Sequence, residues 1–177
     1  SPGIYDEFFF PYAKQMNRAW VNRGFKIWNH WDNDHTPFLE TIQTITEGIP
    51  KGKIVMDFEK TDMKKAKEIL GGTVTIYGNV PSALCVYGSP EEVDAYCKEL
   101  IDYCAPGGGF FLGGECEVPW DSKPENIRAI IDAAERHGRY YGDPKDEPVG
   151  ITGKGRELLA GIKAGLNPPN RDELDRV

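Results

Sequence analysis

An α/β fold built on parallel strands is what this sequence predicts, and three observations carry that expectation. Strand-like and helix-like stretches alternate four times after an opening helix, the pattern of parallel strands joined by right-handed crossovers. Polar, chemistry-bearing residues gather just after each strand-like stretch, where such folds keep their ligands. The clearest case is GGFFLGGECEVP at 108–119. There an apolar run, Phe110-Phe111-Leu112, is stopped by Gly113-Gly114 and followed by a thiol between two carboxylates, Glu115-Cys116-Glu117.

Taken in order, a helix opens at Ser1-Pro2, with Ile4, Phe8, Tyr12, Met16 and Trp20 recurring near helical spacing until Gly24. Pro11 is expected to kink or divide it. A strand over 25–30 leads into a polar loop over 31–35, and Thr36-Pro37 starts a second helix reaching about residue 47, with Leu39, Ile42 and Ile45 inward. The second strand spans 53–58. Thr61 is expected to cap a third helix over 62–70, which Gly71-Gly72 ends. The third strand spans 73–77, and a short helix follows from Pro81-Ser82 toward Tyr87-Gly88. Ser89-Pro90-Glu91-Glu92 is a capping box, with Val93, Tyr96, Cys97, Leu100, Ile101 and Cys104 on one helix face behind it. After the fourth strand, Ser122 and Glu125 are spaced as a second capping box for a helix over 124–137, with Ile127, Ile130, Ile131 and Ala134 inward. Beyond Gly138 the chain turns polar. One more helix is expected over 153–166, followed by a loose tail.

Bulk properties narrow the function. With 177 residues, 40% hydrophobic and 28% charged, the chain suits one domain and a tail. A net charge of −7 without a basic stripe argues against a nucleic-acid surface. No run is long and apolar enough for a membrane span, and the N-terminal stretch lacks the basic region of a signal peptide. Cys85, Cys97, Cys104 and Cys116 form no C-x-x-C pair, so a reduced, cytoplasmic protein is expected. Neither G-x-G-x-x-G nor G-x-x-x-x-G-K occurs, which leaves a nucleotide-phosphate cradle unsupported.

The strand ends collect Asn29, His30, Asp32, Asp34 and His35, then Asp57 and Glu59, then Asn79, then Glu115, Cys116 and Glu117. Imidazole, carboxylate and thiolate together suit Zn²⁺. The competing readings are an ordinary hydrogen-bonded loop for His30 and Asp32 and a small buried hydrophobe for Cys116. His137, at a helix C-terminus, needs no function, because a cation is favourable there.

The stretches SPGIYDEFFFPY, the strand ending in His30, AKEILGGTVTIYGNVP, YGSPEEVDAYCKELID and GGFFLGGECEVPWDSKPENIRAIIDAA follow one another in a known order. In order and spacing the chain resembles the C-terminal half of the uroporphyrinogen decarboxylase superfamily over about residues 1–138. The resemblance implies the last four strands of a (β/α)8 TIM barrel, with 139–177 as a C-terminal extension. The superfamily divides into porphyrinogen decarboxylases and zinc-dependent methyltransferases that act with corrinoid proteins or coenzyme M. In the decarboxylases the position of Cys116 is a histidine used on the substrate; in the methyltransferases it is a zinc-ligand cysteine, with an H-x-C after an earlier strand. Here that motif is H-x-D, His30-Trp31-Asp32.

The resemblance therefore implies zinc on His30, Cys116 and Asp32, with Asp34, His35 or Glu115 as alternatives to Asp32. It implies a methyl transfer between a small donor, such as an aryl methyl ether, and the cobalamin of a corrinoid protein. Glu115 and Glu117 are the expected catalytic carboxylates, orienting ligands or handling a proton. Trp28, Trp31 and Trp120 are candidates for an apolar pocket wall, with packing as the competing role. Two other functions stand beside this one. A tetrapyrrole decarboxylase would need basic groups that the acidic rim lacks, and a non-catalytic half-barrel would only bind a corrinoid or a partner chain. Four barrel strands leave two apolar edges, so the remainder is expected from an N-terminal half of the barrel or a second copy of the chain.

Overall fold

The structure, a computed structural model, describes residues 2–138. The C-terminal extension and its expected helix lie outside the described residues. Two helices open the chain, α1 (Pro2–Phe8) and α2 (Phe10–Asn22), and the break at Phe9 falls just before Pro11. Then follow β1 (Ile27–Trp31), a 3₁₀ turn (Thr36–Phe38), α3 (Leu39–Ile45), β2 (Ile54–Phe58), α4 (Met63–Leu70) and β3 (Thr75–Val80). The chain continues through α5 (Ser82–Tyr87), α6 (Pro90–Cys104), β4 (Phe110–Gly114) and α7 (Pro124–His137).

The four strands are all parallel and lie in sequence order, β1-β2-β3-β4. Sequential order with crossovers of one hand keeps every helix on the same side of the sheet. That side holds the core: Ile54, Met56, Phe58, Ile76 and Val80 are fully buried against Leu39, Ile42, Ile45, Leu70 and Val93. The alternate positions Trp28, His30, Val55, Tyr77 and Phe111 stand on the other, less covered face. One helical layer outside and an open inner face is the arrangement of half a (β/α)8 barrel.

Several elements depart from the sequence reading for identifiable reasons. Ile4, Phe8, Tyr12, Met16 and Trp20 are all about half exposed or more, whereas Phe10, Ala13 and Asn17 are buried. A strict i, i+4 stripe drifts about 40° around the helix at each step, so it cannot stay on one face. The α4 cap is Asp62, whose carboxylate accepts from Lys65 N at 3.1 Å. Thr61 instead accepts from His35 N at 3.0 Å and ties two loops together. β3 runs on through Asn79 because a strand partner exists there, Gly113 on β4. Gly78 permits this close fit: a Cβ at that position would lie 2.6 Å from the Phe58 carbonyl oxygen.

The Ser89–Glu92 capping box forms as read. The second one does not. α7 begins after Lys123 with no side-chain cap, and the Ser122 hydroxyl is buried without a partner among the described residues. The most buried residues of α7 are Asn126, Ala129 and Ala133, one position off the expected isoleucine face. Small side chains there let α7 lie close to α6, and Ile127 and Ile130 pack beside the core instead of filling it.

Candidate metal centre

β1 and β4 form the two edges of the sheet, three strand spacings or roughly 14 Å apart. Even so, a side chain from each meets the other across the open face. His30 stands at the carboxyl end of β1, and its Nε2 lies 3.5 Å from the Cys116 Sγ just beyond β4. Asp32 Oδ1 is 3.0 Å from the same His30 nitrogen and 4.0 Å from the sulfur. The three donor atoms lie within 4.8 Å of one another, and all three residues are exposed. An imidazole nitrogen and a thiolate on one tetrahedral Zn²⁺ stand about 3.5 Å apart, given bond lengths near 2.0 and 2.3 Å. The residues present thus fit the ion in donor type and in spacing.

The surroundings hold His30 in a ligand's orientation. Its Nδ1 is 2.7 Å from Asp57 Oδ2, across the register pair His30–Asp57. Trp28 Nε1 donates to the same oxygen at 3.0 Å. A carboxylate on one ring nitrogen fixes the tautomer and leaves Nε2 free to coordinate. The hydrogen bond to Asp57 also raises the His30 pKa, against a smaller opposing effect of burial. In the sequence Asp57 is one polar strand end among several; its role becomes visible with the strand register.

The other expected residues are placed elsewhere. Asp34 Oδ1 accepts from Thr36 N at 2.8 Å, and its carboxyl is held below the usual range first by the Thr36 hydroxyl and then by this amide. His35 is buried against the rings of Tyr5, Trp31 and Phe38, and desolvation lowers its pKa. Glu115 Oε1 accepts from Ser82 N at 2.9 Å, at the first turn of α5. Glu117 is exposed, and its backbone carbonyl accepts from the Ser82 hydroxyl at 3.2 Å. Glu115 thus anchors the loop that carries Cys116 rather than facing His30. Asn79 holds the β2–α4 loop, donating to the carbonyls of Glu59 and Thr61.

Of the tryptophans, Trp31 is buried, Trp28 faces Asp57, and Trp120 is fully exposed with neither expected role among the described residues. A cavity of about 430 Å³ opens beside His30 and Asp32, walled by Tyr5, Phe8, Phe9 and Trp31. Burial separates the remaining thiols from Cys116. It raises the Cys97 pKa to about 12 and that of Cys104 to about 11, which makes them poor nucleophiles and poor ligands.

The family described as Uroporphyrinogen decarboxylase (URO-D) matches residues 1–137. The chain belongs to that family. Human uroporphyrinogen decarboxylase is 39% identical over 77 residues, 43% of this chain and 20% of that protein. The uroporphyrinogen decarboxylase of Chlorobium luteolum is 29% identical over 84 residues, 45% of this chain and 23% of that protein. These matches span about a fifth of the relatives' length. Among solved structures, a methyltransferase from Methanosarcina mazei superposes with a TM-score of 0.60 at 21% identity, over 75% of this chain and 36% of that one. The likeness confirms the half-barrel fold within the family.

Proposed function

We propose that this chain carries the metal centre of a zinc-dependent methyltransferase, which moves a methyl group between a small donor and the cobalamin of a corrinoid protein. The observation that supports this most is the convergence of His30, Asp32 and Cys116 from the two edges of the sheet. These three residues would hold the ion. When bound, zinc supplies Lewis acidity to the heteroatom that gives up or receives the methyl group. The chain's own contribution is orientation of the ligands and an apolar wall beside them. Asp57 presents Nε2 of His30, and Glu115 fixes the Cys116 loop through Ser82. Tyr5, Phe8, Phe9 and Trp31 give the adjoining cavity apolar walls suited to a small aromatic donor such as an aryl methyl ether.

A tetrapyrrole decarboxylase is the second reading, favoured by the curated relatives that share its name. Against it stand a thiol, Cys116, at the site and carboxylates where a polycarboxylate substrate would need cations.

The deciding measurement is metal content of the protein followed by turnover. About one zinc per chain is expected, lost in Cys116→Ser and His30→Ala, together with methyl transfer from an aryl methyl ether to cob(I)alamin. Cys116→His should not decarboxylate a porphyrinogen. Metal-free protein, or porphyrinogen decarboxylation by the unaltered chain, would sink the proposal.

A further inference from the structure

We infer that Tyr77 is a positioning residue that braces the concave face of the sheet and so sets the separation of His30 from Cys116. This rests on the metal-site reading for its consequence, though not for its geometry. The two residues come from edge strands roughly 14 Å apart, so their contact requires the sheet to curve. Something on the concave side must limit that curvature. Tyr77 stands on β3 at the middle of this face, in register with Asp57 on one side and Phe111 on the other.

Its ring touches both ends of the span. Toward β1 it packs on Trp28, with ring centroids 5.0 Å apart and planes tilted by 58°. Trp28 in turn donates to the carboxylate that holds His30. Toward β4 the ring lies over Gly113, where a Cβ would come within 2.1–2.5 Å of three Tyr77 ring and hydroxyl atoms. Glu115 N still bonds to Val80 O at 3.0 Å, so Cys116 is the first residue free of the ladder, two beyond Gly114. Gly113 is glycine because the ring occupies the space above it. A single side chain thus spans from the support of one metal-site residue to the root of the other.

The test uses Tyr77→Ala, Tyr77→Phe and Gly113→Ala in the full chain, with Co²⁺ as probe. Gly113→Ala displaces the ring without removing it, because the colliding atoms are the far end of the tyrosine. Tyr77→Ala and Gly113→Ala should weaken Co²⁺ binding about tenfold or more, the effect typical of lost support around a ligand. They should also diminish the sulfur-to-cobalt absorption band. Tyr77→Phe, which keeps the ring, should bind within about threefold of the unaltered chain.

A metal-free readout runs in parallel: the nuclear Overhauser effect between the His30 ring and Cys116 Hβ. It should be present in the unaltered chain and in Tyr77→Phe, and lost in Tyr77→Ala. Unchanged cobalt affinity and an intact Overhauser effect in Tyr77→Ala would overturn the inference. So would Tyr77→Phe failing as badly as Tyr77→Ala. If the unaltered chain bound no cobalt yet the Overhauser effect followed the ring, the brace would stand and the metal reading would fall.

Discussion

His30 is suited to coordination because of what holds its other nitrogen. Asp57 takes Nδ1 at 2.7 Å and is itself steadied by Trp28, so the imidazole presents Nε2 to Asp32 and Cys116. Removing that negative charge without changing shape tests the arrangement. Asp57→Asn should lower Zn²⁺ affinity by about 10–100-fold, measured by competition with a chromophoric chelator. Unchanged affinity would mean that Asp57 contributes only packing. His35 behaves in the opposite way to His30. Burial among aromatic rings lowers its pKa, and its Nδ1 has no partner among the described residues. The unfolded chain protonates this residue near pH 6.5, whereas the folded chain resists. Its stabilising contribution is therefore complete above about pH 6.5 and is lost as pH falls toward the depressed folded value. The raised pKa of His30 opposes this, adding stability as pH falls through that folded value and reaching its full contribution below about pH 6.5. Denaturant midpoints at pH 7.5 and 5.5 should thus fall less in His35→Phe than in the unaltered protein. Equal falls would show that His35 does not carry the dependence.

The loop bearing Cys116 is held at the scale of helices. Its far end enters α7, which leans on the C-terminal carbonyls of α5. Asn126, fully buried, donates through Nδ2 to the carbonyls of Leu84, Cys85 and Gly88 at 3.0–3.3 Å. Lys123 adds its backbone amide to Cys85 O at 3.1 Å and its Nζ to Gly88 O at 2.8 Å. A helix end leaves carbonyls without partners, and here the next helix supplies the donors. At its N-terminus α5 receives the Glu115 carboxylate on Ser82 N. The short helix is thus pinned at both ends by the segment that carries the thiol. Asn126→Leu would remove one donor from each of these carbonyls, which keep Gly88 N, Lys123 N and Lys123 Nζ, and should cost about 1–3 kcal/mol in denaturant unfolding. It should also loosen Cys116, seen as faster alkylation of that exposed thiol in the metal-free protein. A variant as stable as the parent would show that water takes over these bonds.

For the whole molecule, the sheet's two edges dominate. β1 and β4 each pair on one side only among the described residues. Their surroundings expose Phe25, Trp28 and Phe111 at 53%, 54% and 47%, with Lys26 as the lone charge inside the strand stretch over 25–30. Unpaired backbone beside large apolar groups favours association. The purified 177-residue chain alone is therefore expected to run by light scattering above its 19.8 kDa mass, or to stay in solution only with a partner that completes the barrel. A compact, cooperatively unfolding monomer would show that these edges are covered from within.

Local pattern alone determined much of this protein. Glycine stops, the Ser89 cap and the helix face of Val93, Cys97 and Cys104 fix where elements lie, because they depend on neighbours a few residues away. Alternation of strands and helices then places His30, Asp32 and Cys116 on one rim, and the stretches IYGNVP and GGECEVPWDSKPENI, inside the matched residues 1–137, carry the family likeness. What the sequence could not decide depends on register and curvature. Asp57 became the partner of His30 only through the pairing of β1 with β2. Glu115, next to Cys116 in the chain, turned away to the start of α5 because the chain bends just after β4, where the strand's alternation, which would keep Glu115 on the His30 face, no longer holds. The expected inward stripe of the first helices ended up outside, because the break at Phe9 and the drift of an i+4 pattern rotate it away from the core. The contact of His30 with Cys116, 86 residues apart in sequence, is a property of the bent sheet, and only the folded chain sets it.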